Sequence, residues 1–376
     1  MTARRVLFVN RYFHPDHSAT SQMLSDLAFH LAERGWRVEV VTSRQRYDDS
    51  SAKLPPRETV GGVVVRRVWS TRFGRGFLPG RAIDYATFYA SAFVALAGRA
   101  TRDSTIVALT DPPLISVVAA IAAMLRRATL INWTQDVFPE VAEALGMRAL
   151  RVLRRARDWS LRRAKVNVAL GDSMAARLPR AVVIHNWADA ALHPVDIPHA
   201  PFVVGYSGNL GRAHDATTML AAIRALRGDV GIEFVITGGG AQLEAIRSEQ
   251  LPNVRFAGYA PRERLSESLS SADAHLVTLL PSLEGLIVPS KFYGVLAVAR
   301  PVLFIGARDG ELARIIRRYE CGFIIEPGDG EELARRIRDL ASDRNQARTI
   351  GLRGRRLYEA RFAPHIAFAS WERVLR

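Results

Sequence analysis

Phe202-Val203-Val204-Gly205-Tyr206-Ser207-Gly208-Asn209-Leu210-Gly211-Arg212-Ala213-His214-Asp215 decides how this 376-residue chain is built. An apolar run of strand length ends in a turn with glycines three apart, and an aspartate follows where it can cap a helix. Strand, glycine turn and helix in that order open a doubly wound parallel sheet. Just before it, residues 186–201 hold Pro194, Pro198 and Pro201 without sustained periodicity, which reads as an interdomain linker. The stretch therefore begins a second domain.

Outward from it, short Val/Ile/Leu runs alternate with longer segments of helical period, the pattern of βαβ units. Upstream the spacing predicts strands at 6–10, 37–42, 63–68, 105–109, 129–133, 166–170 and 182–185, with helices at 21–34, 83–98, 114–126 and 149–164. Downstream it predicts strands at 202–208, 232–238, 254–258, 274–279, 301–306 and 322–326. From Arg344 to Arg376 the chain reads as helical, broken at Pro364. The expected fold is α/β: two Rossmann-like domains, residues 1–190 and 200–345, facing a cleft, with helices in 346–376 that pack back on the first domain.

Hydrophobic residues at 48% and charged residues at 24% exclude a disordered or fibrous chain. Charge is the unusual quantity. Basic side chains exceed acidic ones by 15, and residues 1–200, with 28 basic and 17 acidic, carry +11 of that excess. Such a field suits an anionic partner, whether nucleic acid, an anionic membrane leaflet or a phosphorylated substrate. Arginines spread over solvated faces would give the same sum. The single cysteine, Cys321, excludes disulfides and multi-cysteine zinc sites, fits a reducing compartment and reads as a buried thiol. After Met1-Thr2-Ala3-Arg4-Arg5 only Val6 to Val9 are apolar before Asn10, which reads as a strand and not a signal peptide. The weakly polar stretch 85–98 is too short to span a bilayer. The expected location is cytoplasmic, peripheral at the inner face of the cell membrane.

Three elements of the second half suit an anionic ligand. Gly208 and Gly211 let backbone N–H groups approach an anion, and Arg212 offers a planar fork for phosphate oxygens. Thr237-Gly238-Gly239-Gly240 repeats the device after the next strand, though a tight strand-to-helix turn would read the same. The third is Glu284-Gly285-Leu286-Ile287-Val288-Pro289-Ser290-Lys291-Phe292-Tyr293-Gly294. Lys291 is one of three lysines among 49 arginines, which suggests that a point charge on a flexible stem is wanted there; a surface lysine is the alternative.

Together these elements resemble the donor-binding half of family 4 glycosyltransferases, in the branch that builds bacterial capsule, O-antigen and colanic-acid-type polysaccharides. In that branch the second domain opens on a Gly-Asn-Leu-Gly turn, matched by Gly208 to Gly211. It later carries Pro-Ser-Lys and Arg-Pro-Val, matched by Pro289-Ser290-Lys291 and Arg300-Pro301-Val302. Trp133-Thr134-Gln135-Asp136-Val137-Phe138-Pro139-Glu140 is similar to the branch's Asp-Leu-Trp-Pro-Glu segment, Ala144-Leu145-Gly146 to the Leu-Gly that follows, and His14-Pro15-Asp16 lies at the family's first loop. Three departures stand out. Gly294 occupies the place of the family's second glutamate, which holds the donor's ribose; Glu284 matches the first glutamate with two extra residues of spacing; and Ser18-Ala19-Thr20-Ser21 replaces the paired glycines of the first loop. The hydroxyls there can cap the following helix and bind phosphate.

The resemblance implies the GT-B fold and retaining transfer of a sugar from a nucleoside-diphosphate donor, UDP-linked, to a saccharide or lipid-linked saccharide. Gly208, Asn209, Gly211, Arg212, Gly238, Gly239, Glu284, Ser290 and Lys291 would bind the donor. Arg212 and Lys291 would neutralise the departing diphosphate. His14, Asp16, Ser18 and Thr20 would lie on the acceptor side. Asp136 would orient the acceptor hydroxyl, or else cap a helix before Pro139. The sequence has no Asp-x-Asp triplet, so no cofactor and no metal are expected.

Residues 147–165 place Arg148, Arg151, Arg154, Arg155, Arg157, Arg162 and Arg163 around Ala149, Val152, Leu153, Ala156 and Trp159, a basic amphipathic helix suited to an anionic membrane surface or to plain solvent. Other classes fit less well. A nucleotide-sugar epimerase of this architecture needs acid/base carboxylates and histidines that do not assemble here. An exported solute-binding protein needs an export signal, and nucleic-acid binding lacks a recognition helix or an aromatic-basic platform.

Overall fold

The computed structural model describes residues 4–49, 51–74 and 78–376; Met1 to Ala3, quoted above as part of the stretch before the first strand, lie outside them. The chain divides into two compact units, Met1–Ile184 with Phe368–Arg376, and His185–Ala367.

The first unit is built on β1 (Arg5–Val9), β2 (Arg37–Ser43), β3 (Arg57–Val60), β4 (Val63–Val68), β5 (Ser104–Ala108), β6 (Thr129–Trp133), β7 (Val166–Ala169) and β8 (Ala181–Val183). They form one sheet in the order β3-β4-β2-β1-β5-β6-β7-β8, parallel except for the antiparallel β3/β4 pair. The order reverses at β1, flanked by β2 and β5, and in such sheets ligands gather beyond the strand ends at that reversal. Val6, Leu7, Phe8 and Val9 are all fully buried, as expected of a strand covered on both faces. The helix expected over 149–164 is two elements, a 3-10 turn at Arg148–Leu153 and an α-helix at Arg154–Arg163. Trp159 packs on the core there.

The second unit carries β9 (Phe202–Ser207), β10 (Ile232–Thr237), β11 (Val254–Ala257), β12 (Ala274–Thr278), β13 (Val302–Ile305) and β14 (Gly322–Ile325). All are parallel, in the order β11-β10-β9-β12-β13-β14, so the reversal falls between β9 and β12. Asp215 caps the helix Ala216–Ala225 and accepts from Thr218 N at 2.9 Å and Thr218 Oγ1 at 2.9 Å. Cys321 is fully buried, and desolvation pushes its thiol up to about 12.

The terminal helices run Arg344–Leu357 and Pro364–Leu375, joined by a π-turn. The division between units falls inside the last of them, at Phe368, and not at residue 346. In the first unit Phe368 stacks on His30 at 4.5 Å, Glu372 pairs with His30 at 3.0 Å, and Trp371 lies 4.7 Å from Trp133. No helix among the described residues is long and apolar enough to cross a membrane.

Candidate active site

In the second unit the turns after β9 and β10 are laced together. Gly208 N donates to Thr237 O at 2.8 Å, Leu210 N to Gly239 O at 2.7 Å, and Gly238 N to Ala257 O at 3.0 Å. Gly238 has φ +123°, and a side chain there would meet the Gly208 carbonyl oxygen at 2.5 Å. Its glycine is therefore required by backbone-on-backbone packing. The Gly208 N–H is likewise spent inside the fold. The amides of Asn209, Gly211 and Gly239 have no hydrogen-bond partner among the described residues, which leaves them for an anion.

Lys291, first residue of the helix Lys291–Ala297, reaches into this turn. Its Nζ donates to Tyr206 Oη and, at 3.0 Å, to Asn209 O, and lies 4.1 Å from the Tyr206 ring centre. Gly208 makes room, since a side chain there would meet Lys291 Cε at 2.8 Å. No carboxylate pairs with the ammonium among the described residues, and desolvation lowers its pKa to about 7. A cation held half-buried without a counter-charge is poised to take an anion. His214 closes one side: its Nδ1 donates to Thr278 O at 2.8 Å, and desolvation, then Lys291, lower it to about 4, so the ring is neutral. Arg212 is exposed, with no hydrogen bond or ion pair among the described residues. Ser290 precedes the lysine helix and makes no side-chain cap. Tyr206 had read only as a strand residue.

Glu284 and Gly294 flank the lysine segment. Glu284 accepts from Glu311 N at 2.7 Å, its other oxygen fitting against Gly310, so its carboxylate caps the helix Glu311–Tyr319; burial raises its pKa. A side chain at Gly294 would meet Leu269 and Leu192.

In the first unit both oxygens of buried Asp16 are engaged, by Ser18 N of its own loop at 2.8 Å and by Tyr47 N of the loop after β2 at 2.5 Å. Asp16 shapes the loop. The His14 ring packs edge-on against Phe29 at 5.6 Å. Ser18 occupies the N-cap of the helix Ala19–Glu33, but its hydroxyl makes no cap bond and is buried without a partner; Thr20 lies half-buried in the first turn. The predicted hydroxyl cap is thus not formed.

Asp136 follows β6. It is not a helix cap, because Pro139 holds that position for Glu140–Ala144. Exposed to solvent, it lines a small open recess, and the surrounding protein and then the Asp111 carboxylate lift its pKa to about 6. Thr110, Asn132 and Thr134 also line the recess, and none of them was singled out from the sequence. Among the described residues no three His, Cys, Asp or Glu side chains are grouped to hold a metal ion.

Residues 201–343 match the family model for glycosyl transferases group 1, and residues 19–188 that for the glycosyl transferase 4-like domain. WbjE of Pseudomonas aeruginosa, named as a probable glycosyltransferase, is 30% identical over 277 residues, 66% of this chain and 68% of its own length. WcaI of Escherichia coli strain K12, named for colanic acid biosynthesis as a glycosyl transferase, is 25% identical over 197 residues, 48% of each chain. The crystal structure of Anabaena HepE in complex with UDP and glucose superposes with a TM-score of 0.71 at 18% identity, over 99% of both chains. Its likeness concerns the fold. With two parallel-sheet α/β units, the turn and lysine of the second, and these matches, the chain belongs to the family 4 glycosyltransferases of GT-B fold.

Proposed function

We propose that the protein transfers a sugar from a UDP-linked donor to a saccharide or lipid-linked saccharide in the assembly of a cell-surface polysaccharide, with retention at the anomeric carbon. The observation that carries this is Lys291, an unpaired ammonium at the glycine turn beside open backbone amides. Such a group suits a diphosphate that gains charge as it leaves. The naming of WcaI for colanic acid biosynthesis supports the polymer, and the structures of HepE with UDP and with UDP-glucose support the nucleotide.

In the reaction, the bond between the anomeric carbon and the diphosphate oxygen breaks and its electron pair leaves with UDP. The acceptor oxygen bonds to that carbon on the same face, and its proton passes to the departing phosphate. Lys291, Arg212 and the amides of Asn209 and Gly211 hold the developing charge. Asp136, in the first unit, orients the acceptor hydroxyl. These protein groups carry the charge stabilisation, so no metal is required.

Thermal denaturation with UDP, GDP and a panel of UDP-sugars tests the reading, because a ligand of the folded state raises the midpoint. UDP and at least one UDP-sugar should raise it in EDTA. No shift with any of them, or a shift that needs Mg²⁺ or Mn²⁺, would overturn it.

A further inference from the structure

His214 bridges the two strands at which the second sheet reverses. It lies on the turn after β9, and its Nδ1 donates at 2.8 Å to the carbonyl oxygen of Thr278, the last residue of β12. In sheets of this kind a ligand sits in the crevice beyond those strand ends. The backbone around it is held as well: His214 N donates to Gly211 O at 3.1 Å, Gln242 Nε2 to His214 O at 2.7 Å, and Asp215 N to Thr278 Oγ1 at 2.9 Å. The ring stands edge-on to Tyr206 with 6.3 Å between centres, and Lys291 Nζ lies 4.1 Å from the centre of that same Tyr206 ring. Imidazole and ammonium therefore share one corner of the site. Because a carbonyl only accepts, the proton of this neutral imidazole is on Nδ1, and Nε2 carries a lone pair. Nε2 has no partner among the described residues, and unlike Nδ1 of His275 it is not shut off from solvent.

We infer that His214 reads the transferred sugar, its Nε2 accepting a hydrogen bond from the C2 substituent, a hydroxyl or an acetamido N–H. The inference rests on the donor site proposed above. An ionised diphosphate has only acceptor oxygens, so a fixed lone pair beside it repels it and must face a group that carries a proton. In a UDP-sugar the C2 substituent is such a group, and it stands one carbon closer to the diphosphate than any ribose hydroxyl. The uracil N–H is farther still. Lys291 and the open amides of Asn209 and Gly211 then take the phosphates, while the imidazole takes the sugar they carry.

Calorimetric titration of the full chain in EDTA tests it, with UDP-glucose, UDP-galactose and their N-acetylhexosamine counterparts as probes and UDP-2-deoxyglucose and UDP-2-deoxygalactose as controls. At least one probe should bind about tenfold more tightly than its matching control, the scale of one directed hydrogen bond. His214→Asn puts an amide nitrogen where Nδ1 meets Thr278 O but has nothing in place of Nε2. It should bring probe and control to within about twofold of each other, with UDP alone bound as in the wild type. His214→Gln, whose amide reaches where Nε2 stood, should keep part of the difference. Equal affinity of every probe and its control in the wild type overturns the inference, and so does a difference that survives undiminished in His214→Asn. Weaker binding of UDP itself in folded His214→Asn overturns it too, because the imidazole would then be meeting the diphosphate or the ribose. Titration with UDP separates the two readings: UDP bound by the wild type without a difference between probes and controls sinks the role of His214 alone, and no binding of UDP sinks the proposed donor as well.

Discussion

Lys291 and Tyr206 hold each other in the turn after β9: the ammonium donates to the phenol oxygen and lies 4.1 Å from the ring centre. Tyr206 Oη in turn donates to Asn209 O at 3.1 Å, the same carbonyl that receives Lys291. The phenol thus fixes the lysine without neutralising it, which a carboxylate at the same place would not do. Lys291→Ala should reduce kcat/KM about 30- to 1000-fold, the equivalent of roughly 2–4 kcal/mol of lost charge stabilisation, with the fold intact. Tyr206→Phe, which keeps the ring and loses the oxygen, should cost less than Lys291→Ala in steady-state kinetics with a UDP-sugar donor. Near-wild-type turnover in Lys291→Ala would refute the assignment of the diphosphate site.

The pH profile should show both perturbed groups. Asp136, lifted to about 6, must be ionised to orient an acceptor hydroxyl, so kcat/KM should rise with pH through about 6. Lys291, lowered to about 7 in the free protein, must be protonated to meet the diphosphate, so kcat/KM should fall again above about 7. Bound diphosphate favours the ammonium and should move the falling limb of kcat to higher pH than that of kcat/KM. Asp136→Asn should abolish the rising limb; its survival there would detach Asp136 from the chemistry.

Two neighbouring glycines separate fold from site. Gly238→Ala forces a side chain onto the Gly208 carbonyl at a φ of +123°, and should lower stability by on the order of 1–3 kcal/mol, seen as a midpoint several degrees lower on calorimetry. Gly239→Ala meets only the Tyr259 side chain, its hydroxyl at 3.6 Å and its ring at 3.9 Å, ordinary contacts, and should leave the midpoint unchanged while weakening UDP binding through its open amide. The reverse pattern would mean that the ligand approaches Gly238.

Strand positions were legible in the sequence because both faces of each central strand are covered, so burial writes continuous apolar runs such as Val6 to Val9. The β3 segment Arg57-Glu58-Thr59-Val60 was missed for the converse reason: it is an edge strand whose four residues are exposed or half-buried. The helix expected over 149–164 begins instead as a 3-10 turn, and Arg154 and Arg157 in it pair with Glu143 and Glu140, contacts that periodicity does not reveal. Lys291 could be found from its rarity, whereas its partner Tyr206 could not, since 85 residues separate them and the strand pattern accounts for a tyrosine unaided. Glu284 was assigned to the donor by alignment of motifs; its capping of Glu311 depends on a helix 27 residues away.

Membrane docking through residues 148–163 can now be tested with the right arginines. Arg154 forms a two-pronged pair with Glu143 at 2.7 and 2.8 Å, and Arg157 bonds Glu140, Asp158 and the Phe138 carbonyl, so both are committed within the fold. Arg148, Arg151, Arg155 and Arg162 are exposed, with no ion pair among the described residues, and Val152, 74% exposed, stands among them. Each basic side chain near an anionic surface is worth roughly 1 kcal/mol before screening, so four together would hold the protein at low salt and release it at high salt. Replacing these four by glutamine should abolish cosedimentation with vesicles containing anionic lipid, leave neutral vesicles unbound as before, and preserve the midpoint of unfolding. Arg154→Gln with Arg157→Gln should instead lower the midpoint, since Glu140 and Glu143 lose their partners, and spare binding by the folded fraction. Equal binding to neutral and anionic vesicles, or no loss in the fourfold variant, would make this segment an ordinary solvated face and turn the search for the acceptor to soluble saccharides.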